Sequence, residues 1–171
     1  MSAARGFAIW FTGHSGSGKS AIARELLHLL HERGVELSLL ESDVLRTQLT
    51  PFPRYDDADR DFFYGCVAGI GVSLVEQGRA VVFDATANRR AYRDAARNRL
   101  ARFVEVYVDT PLEVCRARDP KGLYRQGMKI PYEPPLAPEL VVHGARGTPQ
   151  EHAAEIDSLL EQRGILIPSR A

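Results

Sequence analysis

The amino-acid sequence predicts an α/β protein in three layers, with a central parallel sheet between two layers of helices. Strand-like apolar runs alternate with helical patterns along the chain, which is typical of parallel sheets covered on both faces. The first apolar run, Phe7–Phe11, leads directly into a glycine-rich stretch and then into a helical pattern. A length of 171 residues suits one domain over residues 1–171.

Five short runs rich in valine, leucine and aromatic residues predict the strands of the sheet. They are Phe7–Phe11, Val35–Leu40, Arg79–Phe83, Phe103–Val108 and Leu140–Val142. Aspartates follow three of these runs, at Asp43, Asp84 and Asp109. Because ligands bind beyond the carboxyl ends of the strands in such sheets, we expect the three carboxylates along one functional edge. A single aspartate after a strand is more often a turn or cap residue, so their grouping is the stronger indication.

Helical patterns fill the intervals between the predicted strands. They cover Ala21–Leu30, a short segment opening at Val44, Asp57–Gln77, Arg89–Arg102, Pro111–Ala117 and Pro149–Arg163. Gly34 and Gly78 are placed to end the first and third helices, and Pro51 breaks the second. Thr148 and Glu151 have the spacing of a capping box at the start of the last helix.

Composition and charge exclude several classes of function. Hydrophobic residues make up 44% of the chain, and 22 basic residues balance 22 acidic ones, so there is no electrostatic basis for binding nucleic acid or a membrane surface. Cys66 and Cys115 lack the spacing of metal ligands and suit buried thiols in a reducing compartment. No apolar run reaches the roughly 18 residues that span a membrane. The first strand begins too early for a signal peptide, so we expect a cytoplasmic protein.

The stretch after the first strand has the form G-x-x-x-x-G-K-S of a phosphate-binding loop. Its glycines let backbone N–H groups curl around phosphate oxygens, and the following helix adds its positive end. Lys19 is placed to reach the β- and γ-phosphates of ATP, and Ser20 to bind Mg²⁺. Motors, switches and small-molecule kinases all carry such a loop, and the length favours a P-loop NTPase fold of the nucleoside-monophosphate-kinase type. The predicted nucleotide-binding residues are Gly13, His14, Ser15, Gly16, Ser17, Gly18, Lys19 and Ser20.

Phosphoryl transfer needs charge neutralisation and a group that orients the attacking hydroxyl and accepts its proton. Asp43 is the candidate for the second role, because it follows the strand expected next to the phosphate loop. Its alternative role is a cap of the short helix that opens at Val44. Asp84 follows four apolar residues in the Walker B pattern, which predicts a ligand of Mg²⁺, with capping by Asp84 or Thr86 as the alternative. Together with Lys19, the two aspartates form the predicted catalytic set.

Arginines between the strands are candidates for binding an anionic acceptor, because the guanidinium group matches phosphate and sulfate oxygens. These candidates are Arg46, Arg60, Arg89, Arg90 and Arg93, although a single arginine is more often solvated surface charge. A second basic group, Arg116, Arg118, Lys121 and Arg125, lies in or beside the Pro- and Gly-rich segment of about residues 118–138. Such a segment can act as a lid that closes over the phosphates, and a plain surface loop is the alternative.

The run Glu105–Tyr124, which reads EVYVDTPLEVCRARDPKGLY, closely resembles the adenylylsulfate (APS) kinases. Asp43–Arg46, Ala58–Arg60 and Pro131–Pro135 are similar to further motifs of that family, and the resemblance extends over about residues 7–142. It implies the reaction of ATP and APS to ADP and 3′-phosphoadenylyl sulfate, by phosphorylation of the ribose 3′-hydroxyl. It also implies a possible homodimer. Residues implied on the acceptor side are Asp43, Arg46, Arg60, Arg90, Lys121, Gly122 and Leu123.

Departures from the family pattern fall on the acceptor side. Val44 and Phe63 stand where the family has asparagines, Ala87 where it has a serine, and the shorter lid lacks a phenylalanine that stacks on adenine. The sequence from Asp84 to Asn88 is similar instead to the D-A-T-x-N pattern of other P-loop kinases that act on sugars, nucleic-acid ends or peptides. Two alternatives therefore stay open: a kinase for another nucleotide-like or anionic hydroxyl compound, and a non-catalytic nucleotide-binding regulatory protein.

Overall fold

The computed structural model describes residues 6–127 and 131–167. Residues 1–5, before the first strand, and residues 128–130, within the lid-like segment, lie outside this part, as do residues 168–171. The strands are β1 (Phe7–Thr12), β2 (Leu37–Glu41), β3 (Ala80–Asp84), β4 (Phe103–Asp109) and β5 (Leu140–His143). The helices are α1 (Lys19–Glu32), α2 (Ser42–Leu49), α3 (Asp57–Glu76), α4 (Arg90–Arg97), α5 (Leu112–Arg118) and α6 (Pro149–Gln162).

The five strands form one sheet in the order β2-β3-β1-β4-β5, and every neighbouring pair is parallel. Strand β1 is central, so the loop that follows it lies at the middle of the carboxyl edge. In the register of β1 with β3, Phe11 is opposite Asp84, which therefore ends its strand beside the start of the loop. The predicted three-layer α/β fold with a parallel sheet is confirmed.

Both faces of the sheet are covered, and β1 is buried along its whole length. Trp10 and Phe83 pack under α3 and α4 on one face, with ring centroids 4.3 Å apart. Ile9 and Phe11 pack under α1 and α6 on the other face. A strand buried on both faces has no polar alternation, which is why the sequence shows continuous apolar runs. Within the described residues, no helix is both long and apolar enough to cross a membrane.

Most helix boundaries differ from the prediction by only one or two residues, whereas the end of α4 differs by more. The helix predicted over Arg89–Arg102 ends at Arg97, because the chain turns there so that Phe103 can begin β4. The carbonyl of Arg102 accepts a hydrogen bond from the backbone N–H of Ala8, at 2.9 Å, and so belongs to the contacts of the sheet. Pro111 is the N-cap of α5 and not its first helical residue. The predicted capping box of Thr148 and Glu151 is present at the start of α6.

Candidate active site

The loop between β1 and α1 has a backbone conformation that requires glycine. Gly13 and Gly16 have φ angles of +146° and +80°. A Cβ atom at Gly13 would lie 2.6 Å from the carbonyl oxygen of Val108, and one at Gly16 would lie 2.7 Å from that of Cys115. Side chains are therefore excluded at both positions by strain and by contact. The loop therefore packs closely against the backbone of β4 and α5.

Lys19 and Ser15 give this loop the chemistry of an anion site. The Lys19 ammonium is buried and donates hydrogen bonds to the carbonyls of Gly13 at 3.0 Å and His14 at 2.8 Å. Burial lowers the pKa of Lys19 to about 8, although the nearby carboxylate of Asp84 opposes the shift. The Ser15 hydroxyl is buried without a hydrogen-bond partner among the described residues. A phosphate oxygen would satisfy both groups.

Two adjoining cavities meet at the carboxyl edge of the sheet. The phosphate-loop cavity, of about 400 Å³, is lined by Lys19, Ser20, Asp84 and Arg118 among others. The aromatic cavity, of about 500 Å³, is lined by Tyr55, Tyr64, Tyr124 and Tyr132 together with Arg46, Arg60 and Arg116. Residues that line both cavities are Ser15, Ser42, Asp43, Thr86 and Lys121. Two ligands in these cavities would therefore meet beside Asp43.

Asp43 lies at this junction and does not cap α2. The N-cap position of α2 belongs to Glu41, and Asp43 is the second residue of the helix. Its carboxylate forms an ion pair with the Lys121 ammonium, and both side chains are about half exposed. The predicted acid–base residue is thus accessible from both cavities and faces a lysine of the loop after α5.

Asp84 ends β3 as a buried residue and faces the phosphate-loop cavity. It does not cap α4, because the N-cap there is Arg89 and makes no side-chain cap bond. Its carboxylate and the Ser20 hydroxyl are hard oxygen donors of the kind that Mg²⁺ prefers. Among the described residues, no group of three or more histidine, cysteine, aspartate or glutamate side chains is arranged to hold a metal ion alone.

The predicted arginines divide between the cavity and the surface. Arg46 lines the aromatic cavity and pairs with Asp59 at 3.1 Å, and Arg60 lines the same cavity. Arg90 lines neither cavity: its Nη1 donates to the Pro134 carbonyl at 3.1 Å, and its backbone N–H donates to Glu133. Arg89 pairs with aspartates of α3, and Arg93 is buried in an ion pair at 2.6 Å with Glu105.

The segment after α5 is bound to the phosphate loop. Arg118 donates to the carbonyls of Gly16 at 3.2 Å and Ser17 at 3.4 Å, and the Tyr124 hydroxyl donates to the Ser15 carbonyl at 3.0 Å. Asp119 is buried, and its carboxylate accepts the backbone N–H groups of residues 124 and 125 at 3.3 and 3.1 Å. Lys121 and Leu123 line the aromatic cavity, whereas Gly122 and Arg125 line neither cavity.

Several residues that shape the aromatic cavity have no role in the sequence prediction. The Tyr132 hydroxyl lies 3.0 Å from that of Thr12, and the Thr12 hydroxyl donates to the Thr86 carbonyl. Asn88 exchanges hydrogen bonds with the same segment, through the Pro131 carbonyl at 3.0 Å and the Glu133 N–H at 2.8 Å. These bonds fix residues 131–133 as a wall of the cavity. The only sequence signals for them were the Pro131–Pro135 motif and the asparagine in D-A-T-x-N.

Comparison with known proteins identifies the family. A family model described as adenylylsulphate kinase matches residues 5–143. The chain belongs to this family. An adenylyl-sulfate kinase of Rippkaea orientalis is 37% identical over 172 residues, which cover 95% of each chain. One from Klebsiella pneumoniae is 41% identical over 152 residues, or 82% of this chain and 76% of the relative.

A solved structure of the same family has a fold similar to that of this chain. The APS kinase of Mycobacterium tuberculosis, in complex with AMPPNP and APS, is 36% identical to this chain, with a TM-score of 0.83. The match covers 92% of this chain and 98% of that one. The resemblance drawn from Glu105–Tyr124 is confirmed, as are the P-loop kinase fold and the assignment of the chain as a kinase.

Proposed function

We propose that the protein transfers the γ-phosphoryl group of ATP to the ribose 3′-hydroxyl of adenylyl sulfate, giving ADP and 3′-phosphoadenylyl sulfate. The observation that carries the proposal is the position of Asp43, which lines both the phosphate-loop cavity and the aromatic cavity. A donor phosphate in the first cavity and an acceptor hydroxyl in the second would meet at its carboxylate. The relatives named adenylyl-sulfate kinase support APS as the acceptor.

The donor side belongs to the phosphate loop. ATP phosphates would take the hydrogen bonds that Lys19 now gives to loop carbonyls. The Ser15 hydroxyl, which has no partner among the described residues, would bond a phosphate oxygen. Ser20 and Asp84 would hold Mg²⁺, which supplies charge neutralisation on the β- and γ-phosphates when bound. Because Lys19 is buried, its charge acts on the phosphates with little screening by water.

On the acceptor side, Asp43 orients the hydroxyl and accepts its proton. The hydroxyl oxygen forms a bond to the γ-phosphorus, the bond from that phosphorus to the β–γ bridging oxygen breaks, and the proton passes to the Asp43 carboxylate. Lys121, paired with Asp43, brings a positive charge to the place where the phosphoryl group crosses. Arg46 and Arg60 line the aromatic cavity and would bind the phosphosulfate anion of the acceptor.

The segment 118–138 would act as the lid of this site. Arg118 and Tyr124 attach its beginning to the phosphate loop, and Asn88 attaches residues 131–133 to the other wall. Between these attachments, Lys121 and Leu123 line the acceptor cavity. The lid would exclude water from the phosphates once both substrates are bound. Arg116 lines the acceptor cavity, while Arg125 pairs with Asp119 at 3.5 Å.

Neither alternative drawn from the sequence is favoured by the relatives. A different hydroxyl acceptor and a non-catalytic regulatory role both rest on the changed acceptor residues, yet relatives at 34–41% identity are named adenylyl-sulfate kinases. A single domain over residues 1–171, a homodimer and a cytoplasmic location stay predictions.

The proposal predicts APS-dependent release of ADP from ATP by the purified protein. In the presence of Mg²⁺, we expect turnover with APS at least about tenfold above that with ATP alone or with gluconate or shikimate, since these acceptors lack the nucleotide anion. Coupled detection of ADP measures the rate, and ³¹P NMR of the product locates the new phosphate at the 3′-oxygen. ADP release that is stimulated only by gluconate or shikimate would show that APS is not the acceptor. Nucleotide binding without turnover on any acceptor would remove the kinase mechanism.

The lowered pKa of Lys19 predicts that nucleotide affinity falls at alkaline pH. Below pH 8 the ammonium is charged in the free protein, and above this value it loses its proton, because burial lowers its pKa to about 8. Bound phosphates favour the charged form, so nucleotide binding takes up a proton above pH 8. Each further pH unit should weaken binding by up to about tenfold.

Isothermal titration calorimetry of AMPPNP binding at pH 7, 8 and 9 checks this dependence, and two buffers of different ionisation enthalpy count the protons taken up. Asp84, Asp43 and Lys121 are the charged side chains whose fields reach Lys19, and Cys115 is a further titratable neighbour. The variant Lys19→Met is the control, since its affinity should not change over this range by the same mechanism. Equal affinities of the unmodified protein at pH 7 and 9 would contradict the expected protonation.

A further inference from the structure

Arg46 is held by four side chains at the wall of the aromatic cavity. Its Cζ atom lies 3.8 Å from the centroid of the Phe63 ring and 5.2 Å from that of Tyr55. Its Nη1 donates to the Asp59 carboxylate at 3.1 Å and lies 3.4 Å from the Thr50 hydroxyl. Both of these bonds use Nη1, and among the described residues Nε and Nη2 make no hydrogen bond. Arg46 lines the cavity, and Nε and Nη2 carry its donors that are not used by the described residues.

Phe63 has no access to such a ligand itself. Its side chain is fully buried and does not line the cavity, and its ring lies 5.1 Å from that of the cavity-lining Tyr64 in an edge-to-face contact. The distance from Phe63 to the Arg46 guanidinium is that of a close cation–π contact. Phe63 thus contacts the cavity indirectly, through the lining residues Arg46 and Tyr64, and its contact with Arg46 is the one that involves a charged group.

We infer that Phe63 is a positioning residue for acceptor binding, which fixes the Arg46 guanidinium so that Nε and Nη2 meet the anionic group of the acceptor. A long arginine side chain in water samples many rotamers, and ordering it on binding weakens affinity. The Phe63 ring and Asp59 remove this freedom beforehand. The identity of the acceptor rests on the proposed function, whereas the contact between Phe63 and Arg46 does not.

The substitutions Phe63→Leu and Phe63→Met test this role, because both keep an apolar side chain in the core and remove the ring face. We expect the KM for APS to rise about tenfold, with kcat and the KM for ATP changed less than twofold. Val67→Ala is the matched control: Val67 is also fully buried on α3 and does not line either cavity. It should lower the melting temperature without changing the KM for APS.

A double-mutant cycle with Arg46→Lys separates positioning from general packing. If Phe63 acts through Arg46, the double variant Arg46→Lys/Phe63→Leu should have a KM for APS less than about twofold above that of Arg46→Lys alone. Full additivity, or a KM for Phe63→Leu and Phe63→Met no different from that of Val67→Ala, would overturn the role.

An NMR measurement makes the result independent of the acceptor. The Arg46 Nε–H signal should show an upfield ring-current shift in the unmodified protein, and this shift should be lost in Phe63→Leu. If the unmodified protein has no APS-dependent turnover, the proposed function fails, and the Arg46 signal alone decides the inference. An Arg46 signal unchanged by Phe63→Leu would overturn it in either case.

Discussion

Replacing Asp43 by asparagine is expected to lower kcat for APS-dependent phosphoryl transfer by about 10²- to 10⁴-fold, the usual contribution of a positioned acid–base group. Asparagine keeps the shape of the side chain and can still bond the acceptor hydroxyl, but it cannot accept the proton. The KM for ATP should change less than about twofold, because the Lys19 hydrogen bonds lie within the phosphate loop. The lost ion pair with Lys121 is exposed, so the free energy of unfolding should fall by no more than about 1 kcal/mol.

Asp109→Asn is the matched control for this variant. Asp109 also lies at the carboxyl end of a strand, β4, but it lines neither cavity and pairs loosely with His143 at 3.9 Å. Steady-state rates with both substrates varied should leave this control within about threefold of the unmodified protein. A kcat for Asp43→Asn within tenfold of the unmodified value would show that proton acceptance at this position is not needed.

The order and type of the secondary-structure elements could be predicted because strands buried on both faces leave a clear apolar signal. Strand β1 is an example, with all six residues buried. Boundaries were less predictable where distant contacts set them. The end of α4 at Arg97 is fixed by the turn into β4 and by the bond between Ala8 and Arg102, and neither is visible in the local sequence.

The phosphate loop and the aromatic cavity differ in how much of each can be predicted from the sequence. The phosphate loop is contiguous, so the spacing of its glycines and Lys19 specifies it. The aromatic cavity is assembled from distant segments, as the contact between Thr12 and Tyr132 illustrates. Charge alone did not separate Arg46, which lines the cavity, from Arg90, which bonds the Pro134 carbonyl. That difference depends on tertiary contacts that no local pattern encodes.

Lys19→Met is expected to remove nearly all transfer activity, with a loss of at least about 10³-fold in kcat/KM for ATP, because it deletes a preorganised charge from the phosphate site. The same change should not destabilise the fold. A buried ammonium is costly to desolvate, and the low pKa of Lys19 reflects that cost. Methionine fills a similar volume without charge. We therefore expect a melting temperature equal to or above that of the unmodified protein, measured by calorimetry in the absence of nucleotide.

The variant Lys121→Met tests whether the rate depends on where the Lys19 charge lies or only on the total positive charge of the site. Both lysines lie near the junction of the cavities, but Lys121 is about half exposed and reaches the junction from the loop after α5. If the total charge of the site decides the rate, the two variants should lose similar activity. If a fixed charge on the donor phosphates decides it, Lys19→Met should lose at least about tenfold more kcat/KM for ATP, because water screens the exposed ammonium and not the buried one. Equal losses, or a Lys19→Met variant within tenfold of the unmodified protein, would contradict the role derived from its burial.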